Sequence, residues 1–174
     1  MTARMSAVSQ PKARGMIFIH SAPAALCPHL EWATNSVLGD TVDFEWSDQP
    51  AEPRSRRTEL TWSGDAGKGA ALASKLAAYE RVRFEVTEDA SPGSEGQRFC
   101  FTPSLGSFSA IIGVHGDVLV SEDRIKHAIV SEAVGGDPIH KALESLLGTP
   151  WDDELDTFRY ASEDAPIRWL HQVV

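Results

Sequence analysis

The spacing of apolar residues between Met16 and Val86 restricts the fold of this chain more than any other feature of its sequence. Alternation of apolar and polar side chains indicates strands, and apolar residues every three to four positions indicate helices. In order, the spacing predicts four strands and two helices, the second of which follows a glycine-rich turn at 64–70. The strands are predicted over 16–20, 42–46, 58–63 and 81–86. The first helix is predicted over 28–38, and the second extends from the glycine-rich turn to Tyr79.

This β-α-β-β-α-β order predicts an α+β fold of the ferredoxin-like type, an antiparallel sheet with both helices on one face. In the fourth predicted strand Val82, Phe84 and Val86 point inward, towards the helices. The other face of the predicted sheet is polar. Its outward side chains are Asp43, Glu45, Glu59, Arg81, Arg83 and Glu85.

The remaining sequence predicts an extension of this core. Strand patterns occur at 98–102 and across 107–120, and three helical patterns follow them, each begun by a capping residue or a proline. Those patterns predict additional antiparallel strands and a C-terminal helical segment. We predict a flexible tail over 1–14 and a single domain over 15–174, composed of the core at 15–88 and the extension at 97–174.

The net charge of −9 argues against a nucleic-acid partner. Binding to a duplex needs clustered Lys and Arg side chains that displace counterions. The one locally basic run, RSRR at 54–57, is interpreted as a solvated loop between two strands. An acidic surface instead favours association with basic partners.

The composition predicts a soluble cytoplasmic protein. Hydrophobic content of 42% and charged content of 24% are typical of globular domains. No apolar run reaches the roughly 20 residues that a membrane span requires, and the N-terminal residues lack the apolar segment of a secretory signal. Two cysteines are too few for a disulfide scaffold, which favours a reducing compartment.

The stretch FIHSAPAALCPHLEWA at 18–33 contains three chemically active side chains, His20, Cys27 and His29. A cysteine at a helix N-terminus can be an activated nucleophile, with His20 or His29 as its base. Zinc requires three or four converging ligands. The side chains of Cys27 and His29, two positions apart on the predicted helix, would diverge by about 200°. We therefore predict no metal, and the alternative to a catalytic site is a buried thiol with histidines that serve turns and caps.

Two further sites can be drawn from local sequence. GDAGKGA at 64–70 lies between a strand and a helix, as phosphate loops do. It fails the Walker pattern, but Gly67, Lys68 and Gly69 remain candidates for binding an anion, with a plain turn as the alternative. GVHGD at 113–117 places His115 and Asp117 at a tight turn, where they suit either proton transfer or the turn itself.

Five tryptophans are present, and two of them, Trp151 and Trp169, lie in the C-terminal region. Large aromatic side chains contribute much of the binding energy of interfaces. If exposed, these two side chains are candidates for a docking surface. The ending IRWLHQVV at 167–174 is too apolar to be left in solvent, and we expect it to pack against another surface.

As a set, several stretches resemble an actinobacterial family of uncharacterised proteins, a domain of unknown function. They are HSAPAALCPHLEWA, FEVTEDASPGSEG, FTPSLG, GVHGD and PWDDELDTFRYASEDAPIRWLHQVV, and the resemblance covers 15–174. It implies a bacterial cytoplasmic protein with a link to fatty-acid metabolism. It supplies no activity, cofactor or catalytic residue.

The sequence contains no complete catalytic constellation. We therefore predict a non-enzymatic binding or regulatory module, without a cofactor, for a protein partner or a small anionic metabolite. Two alternatives remain open, an enzyme with a Cys/His site around Cys27 and a structural subunit that forms a homodimer.

Overall fold

The computed structural model describes residues 11–161 of the chain, which form a seven-stranded antiparallel sheet with five α-helices. The order of strands in the sheet is β2-β3-β1-β4-β5-β6-β7. The mixed α+β class is thereby confirmed. The strands are β1 (Lys12–Pro23), β2 (Ser47–Asp48), β3 (Ser55–Asp65), β4 (Arg83–Glu88), β5 (Gly96–Thr102), β6 (Gly106–Ile112) and β7 (Val118–Leu119), and the helices are α1 (Cys27–Leu38), α2 (Lys68–Ala77), α3 (Glu122–Ala133), α4 (Ile139–Leu147) and α5 (Thr149–Arg159).

The main core lies between one face of the sheet and helices α1 and α2. Leu30 of α1 and Leu72 of α2 are fully buried, and they belong to one cluster with Ile17 of β1 and Phe84 of β4. Each such side chain contributes about 1.5–3 kcal/mol when it is removed from water. The inward alternation predicted for Val82, Phe84 and Val86 places all three in this cluster.

The ends of α1 follow from its sequence. Pro28 lies in the first turn, where its missing N–H has no helical partner. Gly39 ends the helix with φ 80°, a left-handed conformation that favours glycine, and its N–H donates to the Asn35 carbonyl at 2.9 Å. The helix predicted over 28–38 is confirmed to within one residue.

The strand predicted over 42–46 is wrong. These residues have no regular structure, and β2 contains only the next two residues, 47 and 48. The apolar side chains do alternate towards the core, but the segment bonds to α1 instead of to a strand. The Val42 N–H donates to Asn35 Oδ1 at 2.9 Å, and Trp46 Nε1 donates to Glu31 Oε1 at 2.7 Å.

Two strands begin earlier than predicted. β1 starts at Lys12, so residues 12–14 of the predicted tail pair with 63–65 of β3. β3 starts at Ser55, so most of the basic run at 54–57 is strand, and Arg56 forms an ion pair with Asp48 at 2.8 Å.

The part of the second face around β4, β5 and β6 is covered by α5. Leu155 of α5 is fully buried with Cys100 of β5 and Phe108 of β6. Glu85 of β4, predicted to point outward, is only 2% exposed. Its orientation is as predicted, but a helix that begins 64 residues later in the sequence replaces the solvent there. Within residues 11–161, none of the helices has the length and apolar character of a membrane span.

Candidate functional site

A group of buried and half-buried polar and charged side chains lies between the sheet and α5, and the buried Glu85 is at its centre. His20 Nε2 lies 2.7 Å from Glu85 Oε1. Arg98 donates from Nη2 to Glu85 Oε2 at 2.8 Å, and Arg159 donates from Nε to Oε1 at 2.9 Å. Three elements, β1, β5 and α5, therefore converge on one carboxylate of β4.

Asp152 of α5 completes this group. Its Oδ1 accepts from Arg159 Nη2 at 2.9 Å, and its Oδ2 accepts from Arg98 Nη1 at 3.3 Å. Each arginine is thus shared between a strand carboxylate and a helix carboxylate, as planar guanidinium groups allow. We call these residues the Glu85 cluster: His20, Glu85, Arg98, Asp152 and Arg159.

A second polar group lies beside the first and also joins α5 to the sheet. Arg83 donates from Nε to Glu154 Oε1 at 3.2 Å, and its guanidinium lies 4.4 Å from the centre of the Phe158 ring. Glu154 also accepts hydrogen bonds from Thr102 at 2.9 Å and from Ser104. The contact of α5 with the sheet is therefore largely ionic, with a small apolar part around Leu155.

The Glu85 carboxylate stays ionised in the folded protein. Burial alone raises the pKa of a carboxyl group, but the hydrogen bond from His20 and the charges of Arg98 and Arg159 hold the pKa of Glu85 well below its ordinary value. Burial lowers the pKa of an arginine, yet the carboxylates of Glu85 and Asp152 raise the pKa of both guanidinium groups. Because each carboxylate and guanidinium of the cluster has a partner of opposite charge, the cluster is suited to hold α5 on the sheet.

Acid is expected to weaken the protein through these carboxylates. Glu85 and Glu154 both have a pKa below the ordinary 4.5 in the folded state. A lowered pKa stabilises the fold fully above the unfolded-state value, and this stabilisation is lost as the pH falls through the folded-state value. We expect the contribution of these two carboxylates to the urea midpoint to be complete from pH 7 to about 5 and to be lost as the pH falls below about 4.5.

Glu154→Gln should remove part of that acid dependence, because an amide at this position carries no titratable group. Urea unfolding followed by tryptophan fluorescence at pH 7, 5, 4 and 3 measures both proteins. A midpoint that did not change between pH 5 and pH 3 would show that these carboxylates titrate as they do in the unfolded chain.

The structure separates the residues of the opening stretch. His20 faces Glu85 on the α5 side of the sheet, whereas Cys27 and His29 belong to α1, which packs on the opposite face. His29 is exposed, and its carbonyl accepts from the Tyr79 hydroxyl at 3.3 Å. Among residues 11–161, no group of three or more His, Cys, Asp or Glu side chains could hold a metal ion.

Cys27 is 8% exposed, and its Sγ lies 4.0 Å from the Pro23 carbonyl oxygen. Burial and the nearby charge of Glu31 raise the pKa of this thiol. A raised pKa lowers the fraction of thiolate, which is the nucleophilic form. Cys100 is 1% exposed and its pKa is also raised, by burial and by Glu85.

The predicted anion site at the start of α2 is occupied by a carboxylate of the protein. The N–H groups of Gly67 and Gly69 each donate to one oxygen of Glu88, both at 2.8 Å. Lys68 donates from Nζ to the Leu38 carbonyl at 2.6 Å. An external anion would have to displace Glu88, which is 2% exposed.

His115 and Asp117 lie in the turn between β6 and β7, and both side chains are exposed. The turn is closed by backbone bonds, from the Gly113 N–H to the Asp117 carbonyl at 2.8 Å and from the Gly116 N–H to the Gly113 carbonyl at 2.9 Å. These contacts match the role of a turn.

Trp151 packs inward. Its Nε1 donates to the Gly106 carbonyl at 2.9 Å, and its ring centre is 5.0 Å from that of Phe108. It therefore helps to hold α5 on the sheet. Trp169 and the apolar ending at 167–174 lie outside the described residues.

Helices α3 and α4 form a pair with a largely unburied apolar surface. Ala128 is the only buried side chain in these two described helices. The apolar positions of α4 recur at helical spacing, a pattern that normally marks a buried face. We call the exposed apolar side chains the hairpin surface: Ile125, Ile129, Val130, Val134 and Leu147, with exposures from 37% to 80%.

The comparisons with known proteins place the chain in a family without assigning it an activity. A family model described as a protein of unknown function, DUF3145, matches residues 16–172. Neither the curated proteins nor the solved structures contain a match to the chain.

Proposed function

The chain belongs to the DUF3145 family, and from its geometry we propose that it is a non-enzymatic binding module for a protein partner. The observation that carries this proposal is the hairpin surface. Two amphipathic helices, 12 and 9 residues long, bury one side chain between them within the described part of the chain. An unburied apolar surface of this kind is typical of protein interaction sites.

The chemistry of the hairpin favours a partner with an apolar centre and basic flanks. Acidic residues outnumber basic ones around the hairpin surface, and Lys126 is already paired with Glu122 at 2.5 Å. Opposite charges at the rim of an interface increase the rate of association and its specificity. The residues concerned are acidic Glu122, Asp123, Glu132, Asp137 and Glu144 against basic Arg124, Lys126 and Lys141.

A site-specific photo-crosslink tests this proposal. A benzophenone amino acid is placed at position 130, where Val130 is 61% exposed, or at the exposed control position 59 on β3. We expect irradiation in the native host to give one discrete crosslinked protein at position 130 and none at position 59. The substitution Ile129→Asp should abolish the product, because it places a charge in the apolar centre.

The mass of the product distinguishes a second copy of the chain from another protein. A product of twice the chain mass supports the homodimer, and a product with one other protein, lost in Ile129→Asp, supports a heterologous partner. Equal crosslinking at positions 130 and 59, or none at either, would overturn the proposal.

The proposal extends to the fold family of the core and to the location and source of the protein. The order β2-β3-β1-β4, with antiparallel pairs throughout and α1 and α2 on one face, supports a ferredoxin-like unit over 15–88. Two free cysteines support a reducing, cytoplasmic location. An actinobacterial source and a link to fatty-acid metabolism are implied by the family resemblance alone.

The enzyme hypothesis receives less support from the geometry. Its nucleophile, Cys27, is buried with a raised pKa, and one of its two candidate bases, His20, is engaged by Glu85 on the other side of the sheet. The binding of a small anion at 67–69 competes with Glu88. A protein partner requires no such displacement.

A further inference from the structure

A cleft of about 240 Å³ lies where strands β5, β6 and β7 meet the first turn of α3. Its floor lies at the edge of the main core, because Phe99 both lines the cleft and packs against that core. Phe99, Ile111 and Leu119 line it, and Ile111 and Leu119 are 40% and 49% exposed. The strand register puts Gln97 opposite Ile111, and Ile111 opposite Leu119, so these side chains share one face.

Four polar side chains line the same cleft: Gln97, Ser109, Ser121 and Arg124. None of the four forms a side-chain hydrogen bond or ion pair with another residue in the described range. The Glu85 cluster on the opposite face is the reverse case, because each of its charges is paired. An apolar floor with a few convergent, unpaired polar groups is the usual composition of a small-molecule site.

We propose that this cleft binds a small organic acid with an apolar body. Arg124 is the only charged residue that lines it within the described part of the chain, so the ligand group of opposite charge is an anion. A planar guanidinium pairs with a carboxylate through two parallel hydrogen bonds. The hydroxyls of Ser109 and Ser121 can donate to the same group, and the apolar floor accepts the apolar body.

The size of the cleft limits the ligand. A volume of about 240 Å³ lies just below the roughly 300–1,000 Å³ of typical ligand pockets, which favours a small ligand. The cleft contains none of the five apolar side chains of the hairpin surface, and only Ser121 and Arg124 of its lining come from the start of α3. The proposed ligand therefore does not depend on the proposed protein partner.

An NMR titration of the full chain with 3-phenylpropanoate tests the proposal, with 3-phenylpropan-1-ol as the uncharged probe of matched shape. We expect amide shifts confined to β5–β7 and the first turn of α3. The acid should bind about tenfold more tightly than the alcohol, because a hydrogen bond to a charged group adds about that factor. Arg124→Gln should reduce the affinity for the acid to that for the alcohol.

Lys126→Gln is the matched control. Lys126 lies on the same helix and is exposed, but it does not line the cleft, so the acid should keep its affinity. Equal affinity for acid and alcohol in the unchanged protein, shifts outside the cleft, or an Arg124→Gln variant that binds the acid as before would each overturn the proposal. A crosslink lost at position 130 would leave this result unaffected.

Discussion

Glu85→Gln is expected to lower the free energy of unfolding by about 3–5 kcal/mol, the cost of removing one partner from a buried ion pair. The substitution keeps the size of the side chain and removes its charge. The buried Arg98 and the half-buried Arg159 would then have only carboxylates of α5 to balance their charges. Since domains are stable by about 5–15 kcal/mol, a loss of this size is a large fraction of the total.

Urea unfolding followed by tryptophan fluorescence measures this loss, and Glu59→Gln is its control. Glu59 lies on β3 with its side chain exposed, so its substitution should change the stability by no more than about 0.5 kcal/mol. If Glu85→Gln cost as little as Glu59→Gln, the cluster would be solvated, and α5 would not be held by these charges.

Gly15→Ala is expected to be the most damaging small substitution in the sheet, with a loss of about 3 kcal/mol or more, at or above the upper end for overpacking. A Cβ at this position would overlap the Thr87 carbonyl oxygen and lie 2.9 Å from Trp62 Nε1. It would therefore disrupt the bond in which Trp62 Nε1 donates to the Thr87 carbonyl at 3.0 Å. Neither contacting group is the flexible end of a side chain that could move away.

Arg14→Ala provides the control for this prediction. Arg14 is the preceding residue of β1, and its side chain is 83% exposed. Its loss should change the urea midpoint little, because exposed ion pairs contribute about 0–1 kcal/mol. A Gly15→Ala protein as stable as Arg14→Ala would mean that β1 and β4 can separate locally without cost.

The local patterns that predicted secondary structure were sufficient wherever the element is stabilised by its own residues. The α1 helix follows from Pro28, its apolar spacing and Gly39. The same alternation failed over 42–46, because it indicates which side chains face the core but not what the backbone bonds to. There the partner is α1, through Asn35 and Glu31.

The same limit applies to the candidate sites, whose partners in space are distant in the sequence. The sequence identified His20 but grouped it with Cys27 and His29, its neighbours along the chain. Its partner is Glu85, 65 residues later, and that carboxylate in turn binds Arg159, a further 74 residues along. The charge alternation within β4, and the arginine in the next strand, were visible in the sequence. Nothing local indicated that a helix would cover them.

The sequence by itself determined the main strands and helices and the apolar sheet face under α1 and α2, because hydrophobic periodicity is a property of neighbouring residues. The tertiary structure alone decided that the polar face is covered by α5 around Glu85, and that the α2 N-terminus is filled by Glu88. It also decided that most apolar residues of α3 and α4 are exposed or only half-buried. The physical reason is that periodicity gives the direction of a side chain, whereas its environment depends on which distant element packs against it.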